Sequence, residues 1–154
     1  MPSWYDIRPT YGPSRHDEAG IRASAVAIDA LIANQRTQVP AERIAVVGFS
    51  QGGAMALHCG LRASERLAGI AALSTYLLLP EETETERSAA NAETPIFQAH
   101  GTHDAVVSPA RGTHARDWLQ ERGYAPAWHD YPMGHEVCLE EIAELASWFR
   151  SIFA

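Results

Sequence analysis

The chain has 154 residues, a net charge of −7 and 46% apolar residues. That makes one globular domain, 1–154, with no basic footprint for a nucleic acid. All twelve basic side chains are arginine, which excludes lysine Schiff bases and Walker-type phosphate loops.

The first periodic segment runs from about Asp17 to Arg36, with Ile21, Ala25, Ile28 and Ile32 on one helical face. Ser14 or Asp17 is placed to cap it, and Pro40 marks its exit. Ile44–Val47 is a continuous apolar run, the pattern of a strand buried on both faces of a parallel sheet. Gly48 to Gly53 is a tight turn into a helix carrying Ala54, Leu57, His58 and Leu61. Leu67–Leu73 is a second strand. Pro80 to Thr94 is Glu-rich and reads as a solvated loop or weak surface helix. Pro95–Ala99 is a third strand. Ser108-Pro109 opens a helix that Gly123 stops. Ala125–Tyr131 is a fourth strand, and Cys138, Ile142, Leu145, Phe149 and Ile152 mark a terminal amphipathic helix. Strands separated by helices imply a parallel, doubly wound α/β sheet of about four strands. Its ligands gather at the strands' carboxyl ends.

Three loops at those ends carry chemistry. Gly48-Phe49-Ser50-Gln51-Gly52 reads G-x-S-x-G between strand and helix. A nucleophile elbow strains the serine backbone, so Gly48 and Gly52 are expected to remove clashes and Gly53 to let the helix pack closely. The Gln51 N–H then faces a developing oxyanion. Asp104 follows the third strand and can fix an imidazole tautomer. His135 follows the fourth strand and can take a proton from Ser50. The order Ser50…Asp104…His135 is that of the α/β-hydrolase triad. His100 and His103 are expected to shape the acid loop, and their spacing matches no zinc signature. Neither metal nor cofactor is required. No apolar run nears the ~18 residues of a membrane span. Cys59 and Cys138 suit two buried thiols in a reducing cytoplasm.

Gly48-Phe-Ser-Gln-Gly-Gly53, His100-Gly-Thr-His-Asp104-Ala-Val-Val107 and Tyr131-Pro-Met-Gly-His135-Glu136 together resemble the bacterial carboxylesterase / acyl-protein thioesterase / lysophospholipase family of α/β-hydrolases. Leu73-Ser-Thr-Tyr-Leu77 and Trp4-Tyr5-Asp6-Ile7 resemble it too. The resemblance implies that Ser50 is the nucleophile, Asp104 the acid, His135 the base and Gln51 one oxyanion donor. It also implies hydrolysis of short- to medium-chain carboxylic esters or thioesters, with Tyr76, Leu77 and Val106 against the substrate.

Family members begin with about three more strands and a His-Gly-x-Gly-type loop that supplies a second oxyanion donor. Upstream of Ser50 this sequence has neither, and Met1 falls where the family has an internal residue. The expectation is an α/β-hydrolase lacking its N-terminal third, with the edge beside Ile44–Val47 open to homo-oligomerisation. The alternative is a catalytically weak or inactive hydrolase fold that binds or self-assembles. A third reading is a peptidase or a dienelactone-type enzyme. The latter usually carries Cys where this chain has Ser50.

Overall fold

The computed structural model describes residues 3–7 and 16–154. Within them, four strands form one parallel sheet in the order β1 (Ala45–Phe49), β2 (Gly69–Leu73), β3 (Ile96–Gly101), β4 (Ala127–Tyr131). The registers Val47↔Ala71, Ala71↔Phe97 and Gly101↔Tyr131 align their carboxyl ends. The helices are α1 (Glu18–Gln35), α2 (Gln51–Arg62), α3 (Pro80–Glu86), α4 (Pro109–Glu121) and α5 (Leu139–Ile152).

The two-residue period of a strand divides the core. Ile70, Ala72 and Ile96 face Leu57 and Leu61 of α2 and Ala115, Trp118 and Leu119 of α4. Ala71, Leu73, Phe97 and Ala99 face the opposite layer, where Leu145 and Trp148 of α5 pack. Thus α2 and α4 cover one side of the sheet and α5 the other. α1 packs on α2, with Ile21, Ala25 and Ile28 against Met55 and Cys59. Its cap is Asp17, whose carboxylate accepts the Gly20 N–H at 3.3 Å. Ser14 and Met1 lie outside the described residues.

Four expectations need correction. β1 is not buried on both faces: Val47 is 45% exposed, because among the described residues β1 pairs only with β2. Full two-sided burial belongs to β2 and β3. The polar stretch 80–94 is not merely solvated, since Thr83, Asn91 and Thr94 are buried. Asn91 donates to the carbonyls of Ala63 and Glu65 at 2.8 and 2.9 Å and accepts from Leu67 N–H at 2.9 Å. It thereby ties the end of α2 to the start of β2. Ile142 is exposed, and the inward face of α5 is Glu141, Leu145, Trp148 and Ile152. The two thiols are free, but only Cys59 is buried; Cys138 is half-buried at the start of α5.

Candidate active site

β1 ends in the turn that carries Ser50. Its backbone sits at φ 55°, ψ −122°, a conformation L-residues avoid. The turn is held from below: Ser50 N–H donates to Leu73 O at 2.9 Å, and Thr75 Oγ1 donates to Ser50 O at 2.6 Å. A Cβ on Gly48 would overlap the carbonyl group of Gly52, and one on Gly53 would lie 2.9 Å from Gly48 O. Gly52 differs from the expectation. A Cβ there would meet only Trp4 Nε1, at 3.7 Å. The turn needs the absence of a side chain at 48 and 53, and from residue 52 it needs only the close backbone.

The loops after β3 and β4 meet over this turn. Thr102 N–H donates to Tyr131 O at 2.8 Å, and His103 N–H to Met133 O at 3.0 Å. The approach is close enough that a Cβ on Gly101 would overlap the backbone carbonyls of Met133 and Gly134. The pairing sets Asp104 beside His135. His135 Nδ1–H donates to Asp104 Oδ2 at 2.7 Å, and His135 Nε2 accepts from Ser50 Oγ at 3.0 Å. The Phe49 ring packs on the imidazole, centroids 4.7 Å apart. Asp104 and Ser50 lie 31 and 85 residues from His135 in the chain, yet the three side chains form one hydrogen-bonded line.

Asp104 is 4% exposed. Burial alone would raise its carboxyl; hydrogen bonds from His135 and from the Val107 and Val106 N–H groups outweigh that and hold it below the usual range. Those two amides reach Oδ1 at 2.8 and 2.9 Å, leaving Oδ2 for histidine. His100 is buried near the end of β3, just before the loop that carries Asp104. Its Nε2 lies 2.9 Å from Val107 O, which fixes that nitrogen as a donor, and 3.4 Å from Asp104 Oδ2. His103 is exposed, 3.3 Å from Thr102 Oγ1.

As the first residue of α2, Gln51 has a backbone N–H with no intrahelical acceptor. The Gln51 side chain does something the motif did not suggest. Its Oε1 accepts from Trp4 N–H at 3.1 Å and its Nε2 donates to Tyr5 O at 2.8 Å, stitching residues 4 and 5 onto the elbow. Tyr76 and Leu77 are buried beside this region and line a cavity of about 290 Å³ with Ala110, Arg111 and His114. Val106 is 71% exposed and lies outside that lining. Among the described residues, no three His, Cys, Asp or Glu side chains gather to hold a metal ion.

A parallel sheet with helices on both sides and a strained serine elbow at the carboxyl end of β1 defines an α/β-hydrolase fold. The chain belongs to the phospholipase/carboxylesterase family, whose model matches residues 1–152. It is 47% identical over 151 residues to acyl-protein thioesterase 1 of Neurospora crassa, covering 92% of this chain and 62% of that one. The corresponding Gibberella zeae protein is 36% identical, covering 97% and 68%. The chain thus spans about two thirds of the length of these relatives. Among solved structures, Arabidopsis thaliana SOBER1 superposes with a TM-score of 0.91 at 26% identity, covering 100% of this chain and 75% of the other. Zea mays acyl-protein thioesterase 2 gives 0.83 at 26% identity, covering 99% and 73%.

Proposed function

We propose that the chain carries the catalytic centre of a serine hydrolase for short- to medium-chain carboxylic esters or thioesters. The observation that carries this reading is the line Ser50 Oγ–His135 Nε2, His135 Nδ1–Asp104 Oδ2, at 3.0 and 2.7 Å. His135 Nε2 takes the proton of Ser50 as Oγ attacks the acyl carbonyl. Asp104 holds the tautomer and stabilises the imidazolium. The Gln51 N–H donates to the oxyanion. As the tetrahedral adduct collapses, His135 returns the proton to the leaving alcohol or thiol. It then activates water to release the acid from Ser50.

The family and the relatives' names, acyl-protein thioesterase 1 and 2, support the same chemistry. No cofactor enters these steps. Loss of one oxyanion donor typically costs about 10²–10³ in kcat, which leaves hydrolysis of an activated ester within reach of the triad and the Gln51 N–H. Position 50 is Ser rather than Cys, which disfavours the dienelactone-type class.

A fluorophosphonate probe tests the reading. The expected result is labelling at Ser50, with hydrolysis of p-nitrophenyl butyrate falling at least about 10³-fold in Ser50→Ala. No label, or unchanged turnover in that variant, overturns it in favour of a binding fold. The free Cys59 and Cys138 fit a reducing compartment, and we place the protein in the cytoplasm on that ground. No helix among the described residues is long and apolar enough to cross a membrane. Self-association through the β1 edge is read by light scattering: a dimer mass supports it and a monomer mass removes it.

A further inference from the structure

We propose that Arg111 anchors an anionic group of the substrate, a carboxylate or phosphate on its acyl or leaving-group side; this rests on the hydrolase reading of Ser50. The guanidinium lies over the Tyr76 ring, 3.5 Å from its centroid, on the wall of the 290 Å³ cavity. With the cation over the ring face, its N–H donors, which make no hydrogen bond to another described residue, are available to meet an oxyanion.

The charge is uncommitted. Six arginines, Arg22, Arg36, Arg62, Arg87, Arg116 and Arg122, each pair with a carboxylate; among the described residues Arg111, like Arg43, Arg66 and Arg150, pairs with none, and of these four it alone lines this cavity. No acidic side chain lines the cavity. The nearest ionisable oxygens are phenolic: Tyr5 and Tyr76 share a hydrogen bond of 2.6 Å. Burial, then that hydrogen bond, pushes the Tyr5 phenol far up, so it stays neutral and does not cancel the cation. His114, one turn along α4 from Arg111, adds a second polar group to the same wall. In a chain of net charge −7, a cationic wall with no acidic lining stands out against a repulsive background for an anion.

Tyr76, which lines the cavity, is connected to the segments that carry the reacting groups. Its neighbour Thr75 is bonded to Ser50 O. Tyr5, which packs on Tyr76, has its carbonyl bonded by Gln51. Val107 packs in the same cluster and donates its N–H to Asp104. The wall bearing Arg111 is thus tied through Tyr76 and its neighbours to the backbone that carries Ser50, to the Gln51 side chain and to the amide that bonds Asp104, although none of Ser50, Gln51 and Asp104 lines the cavity itself.

The test uses three esters: neutral p-nitrophenyl butyrate, mono-p-nitrophenyl glutarate with the anion on the acyl side, and the butyrate ester of 4-hydroxybenzoate with it on the leaving side. The quantity read is kcat/KM for each anionic ester divided by that for the neutral one. In Arg111→Met at least one ratio should fall about tenfold, and which one falls identifies the side. Arg111→Lys should restore part of it, and raising salt to about 0.5 M should lower the same ratio in the unaltered protein. Ratios that stay within twofold in both variants and across salt overturn the proposal while leaving the hydrolase reading intact. Absence of Ser50-dependent hydrolysis of the neutral ester marks failure of the underlying reading instead. If Arg111→Met fails to fold, the salt series and Arg111→Lys decide alone.

Discussion

Ser50 occupies φ 55°, which costs on the order of 1–3 kcal/mol and has to be held by its surroundings. The bonds to Leu73 O and from Thr75 Oγ1 do that holding. Asp104 is satisfied in a complementary way: Oδ1 is saturated by two backbone amides, so Oδ2 is committed to His135. Replacing Asp104 by Asn keeps an acceptor for those amides and removes the charge that the proposed mechanism sets against the imidazolium. Asp104→Asn should keep its melting temperature within a few degrees yet lose about 10³–10⁴ in kcat on p-nitrophenyl butyrate. A loss of only a few-fold would remove Asp104 from the acid's role. The placement of Ser50, Asp104 and His135 after three separate strands was legible in the sequence, because each sits in a short, chemically marked loop. The anchoring use of the Gln51 side chain was not legible. Its partners are backbone groups of Trp4 and Tyr5, 47 and 46 residues away, and no local pattern marks such a bond.

Between β1 and α2, steric room sets the sequence. A methyl at 48 overlaps the Gly52 carbonyl group, which is backbone and cannot rotate away, whereas a methyl at 52 meets one indole nitrogen at ordinary distance. Gly48→Ala should therefore destabilise by about 3 kcal/mol or more. Gly52→Ala should stay within about 1 kcal/mol, since helix propensity favours alanine in the first turn of α2. Urea unfolding of both variants checks the contrast, and equal losses would refute it. A G-x-S-x-G pattern treats its two glycines alike, and only the packing of the turn separates them. The acidic stretch 80–94 shows a different blind spot. Its charge announced solvent, but Asn91 turns inward to three backbone groups of the α2–β2 connection. Asn91→Ala leaves those buried groups unpaired and should cost about 2–4 kcal/mol, measured by the same unfolding experiment. A loss below about 0.5 kcal/mol would show that water replaces the amide.

Across the whole molecule, burial creates a pH dependence remote from the site. His58 is 2% exposed inside α2, and its Nδ1 has no hydrogen-bond partner among the described residues. Burial, reinforced by the Arg62 charge, pulls its imidazole down to about 4. An unfolded chain titrates near the ordinary ~6.5, so between those two values it binds a proton that the folded chain refuses. Stability from this group is complete above about pH 6.5 and falls as pH drops toward 4, by about 3 kcal/mol over the full interval. Urea midpoints across that window should trace the loss, and His58→Leu should flatten the slope. An unchanged slope in the variant would assign the dependence to other groups. By itself the sequence determined the order of helices and strands, the elbow and the three loops that meet at it. Periodicity, glycine sterics and loop chemistry act within a few residues and can be read in place. Only the tertiary structure decided that β1 is half-open while β2 and β3 are covered, that Asn91 and His58 are buried, and that Arg111 is left unpaired over Tyr76. Those facts depend on which distant segments share a volume, and burial and charge pairing are properties of that shared volume rather than of any stretch of chain.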